Sequence, residues 1–307
     1  MTLSEFVNAI YLPWTETELR ASTQKGYRLV WKNYLSKHVG EIRLREFRTV
    51  DASRMLRAIA VEHNLTKTSL QHIKSVLSAI FVHAKNEGAF DGVNPIQDTI
   101  IPNSAREPGE TYAYSLTQIL QILEVLPLLP KVVVATASLA GLREGELIGL
   151  EWPDYWESAL SVNRSVWQGF VNKPKTRASQ QPVPVIPKLA TILDEYHASM
   201  NHPSSGVMFH QGNGERMDMD KLAQRVIRPI VEDIGLPWYG WHGFRRGVAS
   251  NLYALGANDK IVQRILRHAH PHVTKDRYIK TFDPSVIEAM ERLQAAVEAL
   301  EACPAGD

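Results

Sequence analysis

The helical periodicity of this sequence is interrupted between Asn94 and Tyr114, and the interruption divides the chain into two parts. The stretch reads NPIQDTIIPNSAREPGETYAY, which is polar and contains three prolines. Proline removes a backbone donor and breaks a regular helix. At 307 residues the chain is long enough for two domains with substantial cores. We therefore predict a linker over about 95–113, a first domain over 1–104 and a second over 113–307.

The first domain is predicted to be entirely helical. Two helices have apolar residues on one face of a 3.6-residue period; these residues are Tyr27, Val30, Trp31, Tyr34 and Leu35 in one, and Leu70, Ile73, Leu77, Ile80 and Phe81 in the other. Their polar faces carry the candidate DNA contacts Lys25, Lys67, Lys74 and Lys85. A solvated helix face is the competing explanation for these four lysines.

The second domain is predicted to be mainly helical with a small antiparallel β-sheet. Ser115 and Gln118 have the spacing of a capping box, and the apolar run Val132–Leu139 predicts a buried helix that ends at Gly141. From 159 to 185, β-forming residues predict two or three short strands. Helical patterns then return, and an acidic helix is predicted over about 284–302.

Positive charge is concentrated between Trp241 and Lys280, although the net charge of the chain is only +1. Lysine and arginine outnumber aspartate and glutamate there by eight to two; the cations are Arg245, Arg246, Lys260, Arg264, Arg267, Lys275, Arg277 and Lys280. A local excess of this kind in a balanced chain indicates that a polyanion binds at this segment.

Six residues of the second domain form a set that one reaction needs: Arg143, Lys175, His242, Arg245, His268 and Tyr278. Guanidinium groups suit the oxygens of a phosphodiester under attack. A tyrosine hydroxyl can form a covalent ester with phosphorus. A lysine can protonate the leaving 5′ oxygen, and imidazoles can transfer the proton of the tyrosine and bond to the phosphate. Each residue alone is a weak signal, because exposed or structural residues of these types are common.

In order and spacing, the set resembles the tyrosine recombinase family, the phage-type integrases, over about 113–290. The family's motifs match Gly141-Leu-Arg143-Glu-Gly-Glu146-Leu, Pro-Lys175-Thr, His242-Gly-Phe-Arg245, Leu266-Arg267-His268 and Asp-Arg-Tyr278. Arg267 stands where the family's pattern has glycine, which adds a charge beside the predicted site. His270 and His272 remain possible substitutes for His268.

The resemblance implies a two-domain DNA clamp, with an all-helical core-binding domain and a mixed α/β catalytic domain. It implies that Arg143 and Arg245 hold the scissile phosphate and that Tyr278 forms a 3′-phosphotyrosine. Further roles are implied for four residues: Lys175 as general acid, His242 in acid–base work, His268 as a phosphate ligand and Glu146 as a support of the site. We add Arg246 and Arg267 to the candidate DNA contacts.

The implied function is site-specific recombination that integrates or excises a mobile element, with double-stranded DNA at attachment sites as partner. No metal, ATP or other cofactor is expected, because the phosphotyrosine conserves the energy of the bond. A homotetramer on DNA through the C-terminal helix is implied, with accessory DNA-bending proteins as possible partners. A helix that closes its own domain is the alternative for 284–302.

Other features of the sequence limit the cellular compartment and the kind of site that we expect. The lone Cys303 excludes an internal disulfide, which fits a reducing cytoplasm. The N-terminus has no signal-peptide pattern, and no apolar run reaches the length of a membrane span. The histidines of HAHPH match no standard zinc spacing. The chain starts almost directly at the helical pattern, so we expect either that it works without the arm-binding domain of many phage integrases or that it is a fragment.

Two alternatives to a recombinase share part of this pattern. A type IB topoisomerase uses the same strand-cleavage chemistry, although the helical domain upstream and the compact spacing of the motifs favour a recombinase. A DNA-binding protein that no longer cleaves would have lost a core residue, and none is lost.

Overall fold

The chain divides into two compact units, 1–110 and 111–307. The structure, a computed structural model, describes residues 1–156, 158–173, 181–212, 214–267 and 284–302. No helix in those ranges is both long and apolar enough to cross a bilayer.

The N-terminal unit is an all-helical bundle, as the sequence predicts. Its helices are α1 over 3–18, α2 over 21–39, α3 (Thr49–His63) and α4 (Lys67–Asn86), and the middle turns Val7–Tyr11 and Trp31–Leu35 are π-helical. Thr66 caps α4, since its hydroxyl accepts the Ser69 N–H at 3.3 Å. The core is formed by apolar faces that recur at helical spacing, including Leu35, Leu56, Ile59, Leu77 and Phe81.

The segment 95–110 packs onto the N-terminal unit. Ile96, Thr99 and Ala105 are buried, and the Lys74 ammonium donates to the carbonyls of Gln97 and Thr99. Much of the stretch for which the sequence predicts a linker therefore belongs to this unit. Its apolar residues follow no helical or strand period, because they pack from irregular backbone.

The second unit surrounds one largely apolar helix. Among its described residues the helices are α5 (Leu116–Val125), α6 (Leu128–Leu139), α7 (Glu144–Gly149), α8 (Pro187–Ser199), α9 over 219–233, α10 (Gly240–Ala254), α11 (Asp259–Ile265) and α12 (Pro284–Ala302). The central helix α6 is buried on nearly every side and packs against α5, α7, α8 and α10. Two of these neighbours, α7 and α10, carry predicted site residues.

Short antiparallel strands form two small sheets in the described part of this unit. One has the order β1 (Tyr155–Trp156), β2 (Ala159–Leu160) and β5 (Val183–Pro184); the other pairs β3 (Ser165–Trp167) with β4 (Phe170–Asn172). Leu160 lies opposite Val183, and Val166 lies opposite Val171. The small antiparallel sheet predicted from the sequence is confirmed, although β1 lies outside the predicted range.

The last helix, α12, packs on its own unit. Val286, Met290, Leu293 and Val297 are buried in the core of residues 111–307. A hydrogen bond also joins α12 to α8, because the Lys188 N–H donates to the Gln294 side chain at 3.1 Å. The apolar stripe of this amphipathic helix therefore closes the domain in the single chain.

Candidate active site

Arg143 is presented by a glycine turn between α6 and α7. Gly141 adopts a φ of +67°, which favours glycine, and a Cβ at this position would lie 2.9 Å from the Leu266 side chain. The turn thus allows the start of α7 to approach the end of α11. The Arg143 N–H donates to the Glu146 carboxylate at 2.8 Å. Glu146 therefore caps α7 and holds the backbone of Arg143, the N-cap residue of this helix.

Helix α7 lies close to the β3 strand because two of its residues have no side chain. A Cβ on Gly145 would lie 2.7 Å from the Val166 carbonyl oxygen, and one on Gly149 would lie 2.7 Å from the Arg164 carbonyl oxygen. The repeat of glycine at a spacing of four residues places both on one helix face. This contact fixes the orientation of α7 and hence that of Arg143.

Glu146 is a buried carboxylate shared by two arginines. Its Oε1 accepts Arg143 Nη1 at 2.7 Å, and its Oε2 accepts Arg267 Nη2 at 2.7 Å. Burial alone would raise the pKa of Glu146, but the charge of Arg267 and the hydrogen bonds and charge of Arg143 hold this pKa below its ordinary value. Glu146 is therefore ionised at neutral pH and orients two cations.

Arg245 is buried on α10 and is held by backbone carbonyls from two other segments. Its Nη1 donates to the Gly141 carbonyl and its Nη2 donates to the Leu266 carbonyl. Burial and the neighbouring Arg143 lower the pKa of Arg245 to about 9, so the guanidinium remains charged at neutral pH. The residue thereby joins the turn before α7, helix α10 and the end of α11.

His242 lies one turn before Arg245 on α10 and is exposed. Partial burial of the ring, followed by the positive charges of Arg246, Arg245 and Arg143, lowers its pKa below the ordinary value of 6.5. The imidazole is therefore largely neutral at neutral pH, which is the form that accepts a proton. Its exposure leaves it accessible to a substrate.

Helix α10 is positioned by close backbone contacts with the first residues of the unit. A Cβ on Gly243 would lie 3.1 Å from the Tyr114 ring, and a Cβ on Gly247 would lie 2.7 Å from the Tyr114 carbonyl oxygen. The Tyr114 hydroxyl in turn donates to the Pro237 carbonyl and accepts the Tyr239 N–H, both at 2.9 Å. Sequence reasoning missed Tyr114, although the two glycines four residues apart on α10 are a signal of such a contact.

Among the described residues, this cluster carries an excess of positive charge. Arg143, Arg245 and Arg267 lie around the carboxylate of Glu146. Two of the guanidiniums are buried, whereas the Arg143 side chain is 35% exposed and can reach a ligand. Such an arrangement can bind an anion with planar, charge-assisted hydrogen bonds.

The structure brings together Arg143, Glu146, His242 and Arg245, which the sequence predicts as one site. The predicted site residues Lys175, His268 and Tyr278 lie outside the described residues. Leu266 joins the site through its carbonyl rather than its side chain, a role that no sequence pattern indicates.

The structure overturns the prediction that Arg267 contacts DNA. Its side chain is completely buried and pairs with Glu146, so it presents no surface to a duplex. Its φ is +54°, a left-handed conformation that costs an L-residue other than glycine about 1–2 kcal/mol. Helix α11 ends at this turn, which explains why glycine is the residue of the resembled pattern.

The other candidate DNA contacts have different environments. Lys25 and Lys85 are exposed. Lys67 pairs with Glu107, and Lys74 is bound to carbonyls of its own unit. Arg246 is partly exposed and donates through Nε to the Tyr112 carbonyl at 2.7 Å. The environment of Lys74 favours a structural role for its ammonium group.

Comparison with known proteins identifies the family of this chain. The model of the phage integrase family matches residues 111–284, more than half of the chain. The chain belongs to the phage integrase family. It is therefore a tyrosine recombinase, an enzyme of site-specific recombination that breaks and rejoins DNA strands.

Individual relatives of this integrase-family chain are distant in sequence. A XerC-like tyrosine recombinase of Caldanaerobacter subterraneus subsp. tengcongensis is 23% identical over 326 residues, covering 95% of this chain and 83% of that protein. Lambda integrase, in a dimer bound to a COC′ core site, matches with a TM-score of 0.67 and 19% identity over 88% of this chain and 93% of the other. The Tn1549 transposon integrase, in complex with transposon right end DNA, matches with a TM-score of 0.74 and 16% identity over 99% of this chain and 100% of the other.

Proposed function

We propose that this recombinase cleaves DNA at the attachment sites of a mobile element and rejoins the strands to integrate or excise that element. The observation that carries the proposal is that Arg143 and Arg245 lie beside Glu146, with His242 one helical turn before Arg245 on α10 and near both arginines. A scissile phosphodiester binds between the exposed guanidinium of Arg143 and the edge of Arg245. The lambda and Tn1549 integrases, whose structures contain DNA, support duplex DNA as the ligand.

Cleavage proceeds by transfer of a phosphoryl group to tyrosine. The hydroxyl oxygen of Tyr278 attacks phosphorus, and neutral His242 accepts the hydroxyl proton. The bond from phosphorus to the 5′ oxygen breaks, and Lys175 donates a proton to that oxygen. His268 hydrogen-bonds to a non-bridging oxygen, while Arg143 and Arg245 neutralise charge that develops in the transition state. The product is a 3′-phosphotyrosine and a free 5′ hydroxyl.

Rejoining is the reverse reaction with a different 5′ hydroxyl. That hydroxyl attacks the phosphotyrosine, Lys175 accepts its proton, and the tyrosine oxygen leaves with the proton held on His242. The number of phosphoester bonds is unchanged, so the reaction needs no external source of energy. Exchange between two sites requires several copies of the chain on DNA, in line with the dimer of lambda integrase on its core site. We propose that the complex is a tetramer on DNA in the cytoplasm, assisted by accessory DNA-bending proteins. Its proposed DNA contacts are Lys25, Lys85 and Arg246.

The function is tested with DNA that the protein itself selects. Duplexes bound from a random-sequence pool are placed as two direct repeats on a supercoiled plasmid, which is incubated with the protein in EDTA without ATP. The proposal predicts excision of the segment between the repeats. Relaxation without excision would favour a topoisomerase, and binding without either would favour a non-cleaving DNA-binding protein.

A further inference from the structure

Arg267 occupies a position that is unfavourable for a long charged residue. Its backbone is left-handed, with a φ of +54°, and its side chain is completely buried. Burial of a guanidinium costs free energy unless a counter-ion compensates for the lost water. Strain of this kind at a site indicates a functional constraint on the residue.

Within the described part of the chain, Arg267 pairs with the same carboxylate that orients Arg143. Glu146 Oε2 accepts Arg267 Nη2 at 2.7 Å and the Arg143 N–H at 2.8 Å, which leaves Oε1 to accept Arg143 Nη1 at 2.7 Å. One negative charge is thus divided between two guanidiniums. Without Arg267, the whole charge of Glu146 would fall on Arg143 and would compete with a bound phosphate.

Arg267 also lies beside the carbonyl that holds the other phosphate-site arginine. Leu266, its neighbour in the chain, accepts Arg245 Nη2. The ion pair between Arg267 and Glu146 ties the end of α11 to α7, and it therefore fixes the position of the Leu266 carbonyl relative to both arginines.

We propose that Arg267 is a positioning residue of the recombinase site, which shares Glu146 with Arg143 so that Glu146 orients Arg143 without fully offsetting its positive charge toward the scissile phosphate. The inference rests on the proposed function, since it assumes that Arg143 binds phosphate. It assigns Arg267 no contact with DNA.

The first arm of the test measures strand cleavage with Arg267→Met, which keeps the length of the side chain and removes its charge. The rate of covalent adduct formation on selected, nicked duplex is expected to fall about 10- to 100-fold, because a small displacement of a catalytic group has effects of this size. Affinity for the same duplex is expected to change less than about twofold, since Arg267 is buried. Arg267→Lys should recover part of the rate, whereas Arg225→Met, at an exposed position of α9, should react like the wild-type protein.

A double variant shows whether Arg267 acts through Glu146. Glu146→Gln combined with Arg267→Met is expected to react no more slowly than Glu146→Gln alone, because the two residues work as one unit. If the rate losses of the two single variants multiply in the double variant, the proposal is overturned. An unchanged rate in Arg267→Met would also overturn it. A loss of DNA affinity as large as the loss of rate would instead indicate direct contact with DNA and would also overturn it.

The second arm measures binding of inorganic phosphate by calorimetry, which needs no cleavage. Arg267→Met should weaken phosphate binding about fivefold or more, and Arg143→Ala should weaken it at least as much. An unchanged phosphate affinity would overturn the inference. If phosphate affinity falls in both variants but the wild-type protein forms no covalent adduct with DNA, the result contradicts the proposed function and leaves this inference in place. If the methionine variant does not fold, Arg267→Gly replaces it in both arms, because glycine accepts the left-handed backbone.

Discussion

The structural role of Arg245 depends on its forked guanidinium, because Nη1 and Nη2 donate to carbonyls on different segments. The one nitrogen of a lysine cannot occupy the positions of both Nη atoms, so it cannot reproduce both contacts with the same geometry. Arg245→Lys should therefore slow adduct formation about 100-fold or more and leave a buried carbonyl without a donor. The rate and the thermal unfolding midpoint should be measured beside Arg225→Lys, an exposed matched control. A full rate in Arg245→Lys would contradict this role.

His242 gives the site a pH dependence with a defined sign. Because the pKa of His242 is lowered, the neutral, proton-accepting form persists to lower pH than in free imidazole. The rate of adduct formation should therefore rise with pH and reach half of its plateau below 6.5.

Arg246→Ala tests the cause of that shift. Removing the positive charge that is its largest electrostatic cause should move the half-point upward, toward the ordinary imidazole value. Lys260→Ala, which removes an exposed cation from the neighbouring helix, should leave the pH profile in place. A profile that moves equally in both variants would mean that long-range charge, rather than the local environment, sets the pKa.

At the scale of elements, the contact between α7 and β3 should be sensitive to a single methyl group. In Gly145→Ala the Cβ would lie 2.7 Å from a backbone oxygen that cannot rotate away, so the helix must shift. We expect a loss of about 1–3 kcal/mol in the free energy of unfolding and slower cleavage, because Arg143 and Glu146 move with α7. Chemical denaturation measures the first effect.

Gly26→Ala is the matched control for that substitution. Gly26 lies inside α2, and nothing is within 4 Å of the added Cβ. Alanine favours the helix by about 0.5–1 kcal/mol over glycine, so this variant should be slightly more stable. Equal destabilisation in both variants would show that the packing argument for Gly145 is wrong.

Elements set by local chemistry could be predicted from the sequence. The capping box predicted from the spacing of Ser115 and Gln118 is present at the start of α5. The path of 95–110 could not be predicted in the same way, because its burial depends on tertiary contacts from irregular backbone. The two-residue strand β1 is likewise too short to show a period of its own.

For the part of the candidate site that the structure describes, the sequence indicates which residues lie together but not their geometry. The motif residues Arg143, His242 and Arg245 are recognisable from their order in the chain. The burial of Arg267 could not be recognised from the sequence, because a cation beside a site suggests a ligand contact until its counter-ion is known. The contribution of the Gly141 and Leu266 carbonyls depends on backbone positions that no residue type encodes.

At the scale of the whole molecule, the two units should be separable by proteolysis. Residues 107–112 are exposed and have no regular secondary structure, and a core lies on each side. A glutamyl endopeptidase should therefore cut first after Glu110 under native conditions, because local unfolding there disturbs few contacts. Mass spectrometry of early digests identifies the site. First cuts within α3 or α6 would contradict the division into two compact units.

The most direct test of the account is covalent trapping on a set of selected duplexes nicked at successive positions, without divalent metal. Cleavage next to a nick releases a short fragment, so the strand cannot be rejoined and the adduct accumulates. The account predicts a protein–DNA adduct that withstands denaturation with the wild-type chain and is absent with Tyr278→Phe. No adduct on DNA that the protein binds, or an adduct that persists in Tyr278→Phe, would contradict it.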